Sequence, residues 1–220
     1  MRSDDMLEQG KSIKMIDVNK SFGKTKVLNN ICLECNQGEI TGIIGRNGAG
    51  KTVLFKIMCG LMSADSGDIV INGIRKKQSE TLKSAGIIID DPAFLKNYSG
   101  MKNLEYLYML NHKNDRLYLK EVLKRVGLDS ESRQHVGKYS TGMRQRLAIA
   151  QAIMENPDFL ILDEPLKGLD HQGVIDMRNL FLEFKQEGKV IIIASHNSKD
   201  IKVLCDRVHS MEAGNLKTIQ

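Results

Sequence analysis

Ile40-Thr41-Gly42-Ile43-Ile44, followed by Gly45-Arg46-Asn47-Gly48-Ala49-Gly50-Lys51-Thr52, is the stretch that decides the fold. The first five residues read as a short buried strand. The next eight fit the spacing G-x-x-x-x-G-K-[ST], and residues 53–59 continue as an apolar helical stretch. Glycines let the backbone turn tightly enough to aim successive N–H groups inward, where the dipole of the following helix also favours a polyanion. Phosphate is the natural guest of such a loop. Lys51 would meet its outer groups, and the Thr52 hydroxyl would ligate Mg²⁺. The same spacing arising by chance in a glycine-rich turn would need neither the strand before it nor the helix after it.

Outward from this loop, strand-like runs occupy 13–18, 28–35, 68–71, 87–89, 159–162 and 190–194. Leu119, Val122, Leu123 and Val126 recur at helical spacing, as do Met177, Leu180, Phe181 and Phe184, so each set predicts a stripe facing the core. The early strands alternate polar and apolar residues and predict an antiparallel layer. The later alternation of strand and helix predicts a parallel sheet with crossover helices. Residues 91–154 read as helical, inserted between two strands, and 207–211 with 215–219 read as a hairpin around Ala213-Gly214. The expectation is an α/β fold in one domain, 1–220: a core from 12–90 and 155–220, and a helical subdomain at about 91–154.

Composition narrows the function. A chain of 220 residues, 41% hydrophobic and 27% charged with three prolines, can bury a substantial core, which excludes disordered and collagen-like classes. Its apolar runs are strand-sized, far short of the roughly 20 residues a bilayer crossing requires. The opening residues MRSDDMLEQG carry acidic groups and no apolar segment, so they do not read as a secretory signal and predict a cytosolic location. The net charge of +5 is compatible with nucleic acid, anionic lipid or phosphate. With 5% aromatics and no tryptophan there is little base-stacking surface, and no nucleic-acid partner is expected. Cys32 and Cys35 form a lone CxxC on an alternating stretch, where residues three apart point to opposite faces and cannot share a ligand. With Cys59 and Cys205 they read as reduced thiols.

A second acidic element matches the phosphate loop. Phe159-Leu160-Ile161-Leu162 ends in Asp163-Glu164-Pro165, and carboxylates at the end of a parallel strand emerge at the edge where ligands bind. Asp163 would hold the Mg²⁺ shell, and Glu164 would act as base or orient the attacking water. The plainer reading, a solvated strand end that caps a helix, leaves the metal implied by Thr52 without a partner.

With these motifs in order, the chain resembles the ATP-binding subunit of ABC transporters over nearly its whole length, with the P-loop NTPase fold of ABC ATPase type. Tyr139-Ser140-Thr141-Gly142-Met143, followed by a basic amphipathic helix, is similar to that family's signature segment; read alone, Ser140 is an N-cap. The resemblance implies that Ser140, Thr141, Gly142 and Met143 of one subunit close on ATP held by another. It implies that Asp170, after Leu166-Lys167-Gly168-Leu169, is the D-loop aspartate, and that His196 in Ala194-Ser195-His196-Asn197 is the switch histidine. Phe22 takes the place of the aromatic that stacks on adenine, against the competing reading of a core phenylalanine. Glu164, His196 and Lys51 would then be catalytic, and Thr52, Asp163 and Asp90 would serve the metal.

Three positions depart from the pattern. Thr141 and Met143 replace Gly and Gln of the signature, Lys167 replaces a small polar residue, and Asp90 in Ile87-Ile88-Ile89-Asp90-Asp91-Pro92 stands where relatives carry a glutamine. Glutamine donates as well as accepts, whereas a carboxylate only accepts. With Pro92-Ala93-Phe94 and Asn97-Tyr98-Ser99-Gly100, Asp90 resembles a bacterial subgroup serving peptide-antibiotic export, self-immunity and resistance, including lantibiotic and bacitracin systems. The implied protein is a Mg²⁺-dependent ATPase subunit, homodimeric or heterodimeric, peripheral on the inner face of the cell membrane and driving a separately encoded permease. The rival is a soluble ABC-type ATPase acting on nucleic acid or the ribosome. Such relatives carry long coiled-coil insertions or two nucleotide domains, and this chain has one phosphate loop and about 50 residues between Asp90 and Ser140.

Overall fold

The computed structural model describes residues 10–77 and 80–220; the reading of the first nine residues lies outside them. Two sheets form the frame. One is antiparallel, built from β1 (Ser12–Phe22), β2 (Thr25–Asn36), β4 (Ser66–Ile71) and β5 (Ile74–Arg75) in the order β2-β1-β4-β5. The other has six strands in the order β10-β9-β3-β8-β7-β6: β3 (Ile40–Ile44), β6 (Ala85–Ile88), β7 (Phe159–Asp163), β8 (Val190–Ser195), β9 (Arg207–Glu212) and β10 (Asn215–Thr218). Within it β3, β6, β7, β8 and β9 run parallel and β10 pairs antiparallel with β9.

The parallel sheet is covered on both faces, which explains why β7 and β8 are apolar without alternation. Leu160, Leu162, Ile191 and Ile193 join one buried cluster with the helices, including Leu119, Val122, Leu147, Met177 and Phe181. Their neighbours Phe159, Ile161, Val190 and Ile192 join the other, against Ile13, Leu28, Phe55 and Met58. The second cluster includes α1 (Lys51–Cys59), while α5 (His171–Gln186) lies in the first through its predicted stripe.

Between β6 and β7 the chain runs through α2 (Gly100–Tyr108), α3 (Arg116–Arg125), a 3-10 turn at Val136–Lys138 and α4 (Thr141–Ile153). Among the described residues the only pairing outside the named strands is a bridge from Ser99 to His135, so the helical reading of 91–154 holds. After β8, α6 (Ser198–Leu204) leads to the closing hairpin.

The strand expected at 87–89 lies instead at 85–88. Ala85 and Gly86 have weak strand preference, but a Cβ at Gly86 would overlap the Ala152 carbonyl oxygen, so the glycine is what lets α4 press against β6. β5 went unpredicted although its turn is written in Asn72-Gly73, both at positive φ, the pattern of a two-residue hairpin. Cys32 is exposed and Cys35 buried, as their alternation required, and all four cysteines are free.

Candidate functional site

Register puts the site at one edge of the parallel sheet. Ile44 lies opposite Ser195, and Asp163 opposite Ala194, so the chain leaves β3, β7 and β8 side by side at Gly45, Glu164 and His196. That edge lies at the carboxyl ends of the strands, where open α/β sheets bind ligands.

The loop after β3 is shaped by Gly48 and Gly50, at φ of 81° and 110°, conformations that side chains resist. Gly50 is also the N-cap of α1, and it offers no side-chain acceptor. By contrast Ser99, Asp115, Ser140 and Asp170 each accept a backbone N–H at the heads of α2, α3, α4 and α5. With no acidic residue in its first turn either, α1 keeps its orphan donors and positive dipole end for an external anion. Lys51 is buried, and its ammonium donates to the carbonyls of Gly45 at 2.7 Å and Arg46 at 3.2 Å. A cleft of about 340 Å³ opens here, lined by Val27, Arg46, Asn47, Gly48, Gly50, Lys51, Thr52, Val53, Asp163 and Glu164. Ala49 lies behind the loop, where Arg46 to Ala49 face Met211 and Glu212.

Two oxygen donors meet on the wall of the cleft: the Thr52 hydroxyl donates to Asp163 Oδ2 at 2.7 Å. Burial raises the Asp163 pKa above the ordinary carboxylate value, and the negative charges of Glu164 and Asp90 add to the rise. A hydroxyl and a carboxylate side by side, with more negative charge than the loop lysine offsets, fit Mg²⁺, which takes few protein ligands and fills its octahedron from phosphate and water. Among the described residues no cluster of three or more His, Cys, Asp or Glu is placed to hold a metal.

Glu164 is held from several directions. It sits at φ 50°, unusual for a residue with a side chain, and its N–H donates to Ala194 O at 2.8 Å. Its carboxylate accepts from Ser195 Oγ at 2.9 Å and the His196 N–H at 2.8 Å, and lies 2.7 Å from His196 Nδ1. Such a backbone persists only where the surroundings over-determine it. Ser195 was quoted in the sequence but given no role; its signal was a hydroxyl at the strand end beside the histidine.

The remaining predicted residues lie outside this cleft. Ser140 caps α4 through Met143 N–H at 3.1 Å, so the N-cap reading holds. Thr141, Gly142 and Met143 form the first turn of α4, facing the 164–170 segment of the same chain: a Cβ on Gly142 would stand 3.0 Å from Gly168 O. Asp170 caps α5 through Gly173 N–H at 2.9 Å. Asp90, also at positive φ (61°), pairs with Lys56 Nζ at 2.7 Å on α1 and lines a neighbouring hollow with Ile87, Pro92 and Gln151. Lys56 had no motif to announce it. Phe22 is 49% exposed, which excludes the core reading; it pairs with Thr25 at the tip of the β1–β2 hairpin, whose Val27 reaches the cleft.

Known proteins resemble this chain in sequence and in fold. The sequence profile of the family described as ABC transporter matches residues 28–167. The bacitracin transport ATP-binding protein BcrA of Bacillus licheniformis is 39% identical over 93% of this chain and 68% of its own length. The lantibiotic transport ATP-binding protein SrtF of Streptococcus pyogenes is 35% identical over 93% of this chain and 88% of its own. An uncharacterized ABC transporter ATP-binding protein of Bacillus subtilis, YdbJ, is 38% identical, and the match spans 66% of its length. Among solved structures, the dimeric structure of a bacterial ABC transporter cassette superposes with a TM-score of 0.83 at 21% identity, covering 94% of this chain and 99% of that one.

Proposed function

Because this chain belongs to the ABC transporter family as an ATP-binding subunit, we propose that it hydrolyses ATP with Mg²⁺, in pairs, to drive a separate membrane permease. The observation that carries the reading is the convergence of Lys51, Thr52, Asp163, Glu164 and His196 on one sheet edge, with α1 left uncapped. The loop from Gly45 to Thr52 binds the phosphates through its N–H groups, with Lys51 released from its own carbonyls to the outer phosphates. Thr52 and Asp163 would hold the metal, which when bound would supply positive charge to offset that of the phosphates. Glu164, oriented by Ser195 and His196, positions the attacking water and accepts its proton. Phe22 offers its exposed ring face to the adenine.

Ser140 to Met143 and Asp170 lie outside the cleft, so they serve the nucleotide of a second copy or close relative facing this one. Enclosing the triphosphate between two chains removes bulk water and strengthens each donor around it. Residues 91–154 and Asp90 pass the movement to the permease; 12–90 and 155–220 form the catalytic core. No helix among the described residues is long and apolar enough to cross a membrane. The inserted helices α2, α3 and α4 are 9, 10 and 13 residues long, unlike the coiled coils of the nucleic-acid or ribosome rival. Similarity to bacitracin and lantibiotic transport proteins supports a peptide antibiotic as cargo.

The test is phosphate release from ATP by the purified chain, with Mg²⁺ and after chelation, alongside the mass of Glu164→Gln with and without ATP in solution. Metal-dependent release and an ATP-induced doubling of mass are expected. A variant that remains monomeric at saturating ATP would overturn the paired arrangement.

A further inference from the structure

The head of α4 and the loop after β7 are joined within one chain. Gln145 Nε2 donates to Pro165 O at 3.0 Å and to Glu164 O at 3.4 Å. One turn earlier, Gly142 packs against Gly168, where a Cβ on Gly168 would lie 2.7 Å from Thr141 Cγ2. On the next residue, Arg146 reaches Asp176 at 3.5 Å and Asp170 at 3.9 Å. The packing and the ion pairs fix α4 to 168–176. The Gln145 amide is different, because it bonds the peptide carbonyls of Glu164 itself and of the next residue.

That bond completes the support of Glu164. Ala194 holds its N–H, Ser195 and His196 hold its carboxylate, and the φ of 50° requires surroundings that fix it. All of those partners come from β8 or just beyond it. Gln145 alone among these partners approaches from α4, five residues after Ser140, so it joins the catalytic loop to the helical insertion.

We propose that Gln145 is a positioning residue that couples the seating of its own α4 head against a second copy to the orientation of Glu164 in its own cleft. The inference rests on the paired, ATP-hydrolysing reading above. When α4 is held by the neighbour's nucleotide, the amide holds the Glu164 and Pro165 carbonyls and the carboxylate stays aimed at the water. When α4 is displaced, that support is lost. Each chain then fires its own site according to whether it has completed the other's.

The experiment compares Gln145→Met, which keeps length and bulk but has no donor, with Gln145→Lys, which keeps a donor of similar reach. Rates are read against ATP concentration with thermal midpoints alongside. Gln145→Met is expected to lose about tenfold in kcat with KM for ATP within about twofold of wild type, and Gln145→Lys to recover to within about threefold. A Gln145→Met enzyme equal to wild type, or a Gln145→Lys enzyme no better than Gln145→Met, would overturn the coupling. Those results leave the wider reading standing, because wild type would still hydrolyse and Glu164→Gln would still dimerise with ATP. Loss of those two behaviours would overturn that reading, and the coupling with it.

Discussion

Glu164 and His196 meet twice: one carboxylate oxygen lies 2.7 Å from the imidazole Nδ1 and accepts the histidine's backbone N–H at 2.8 Å. The pair joins the ends of two adjacent strands and, with Ser195 on the other oxygen, fixes the orientation of the carboxylate. Glu164→Gln keeps the shape and an acceptor oxygen but removes the carboxylate proposed as the base. Phosphate release should fall by about 10²–10⁴-fold, the usual contribution of a positioned base, while ATP affinity changes by less than about threefold. Turnover and fluorescent-nucleotide titration measure the two. Near-normal turnover would remove Glu164 from the chemistry.

The Thr52–Asp163 hydrogen bond makes a different prediction. Burial and like charges raise the Asp163 pKa in the folded chain, so the native state binds a proton more readily than the unfolded chain above the ordinary value of 3.8. Stability is therefore lost as pH rises through the raised value, and at neutral pH the ionised group is a burden. Asp163→Asn should raise the thermal midpoint at neutral pH and flatten its fall as pH rises from the acid side. It should also weaken Mn²⁺ binding, measured by titration with ATP present. A variant less stable than wild type would contradict the electrostatic account.

His209 on β9 gives the opposite sign. Its Nδ1 lies 3.1 Å from Thr218 Oγ1, its Nε2 is buried without a hydrogen bond, and burial with the nearby Arg207 charge lowers its pKa below 6.5. The unfolded chain takes up the proton first, so stability is lost as pH falls from 6.5 through the lower folded value. Thermal midpoints between pH 7.5 and 5.5 should fall less steeply in His209→Leu than in wild type. At pH 7.5 the variant loses the Thr218 bond, at a cost of about 1 kcal/mol. Parallel curves for the two proteins would exclude His209 as the group responsible.

Gly86→Ala sets a new methyl against the Ala152 carbonyl, which belongs to a helix backbone and cannot swing aside. Overpacking of this kind costs about 1–3 kcal/mol. Chemical denaturation should show a lower midpoint at unchanged slope, with ATP affinity retained because two strands, β7 and β8, separate β6 from the strand that carries the phosphate loop. An unchanged midpoint would mean that α4 yields easily at this contact.

The sequence was most informative where one local rule sufficed. The loop from Gly45 to Thr52 and the Asp163–Glu164 strand end each carry their chemistry in consecutive residues, and the structure places them together through the Ile44–Ser195 and Asp163–Ala194 pairings. What depended on contacts between distant segments was not legible. Gln145 reaches a carbonyl twenty residues away, and Lys56 meets Asp90 across the edge of the sheet. No periodicity or spacing marks either. The start of β6 was hidden for a related reason: Gly86 is dictated by a helix that packs on it, and a strand pattern cannot express that requirement.

The thiols supply a practical handle. Cys35, Cys59 and Cys205 lie in the interior, where burial pushes each up to about 12, whereas Cys32 faces outward on β2 beside Asp17. A maleimide dye or nitroxide offered to the unmutated polypeptide should attach at that one address. Two tagged molecules brought together by fuel would then report their separation spectroscopically, turning an incidental surface sulfur into a ruler for the engine's stroke.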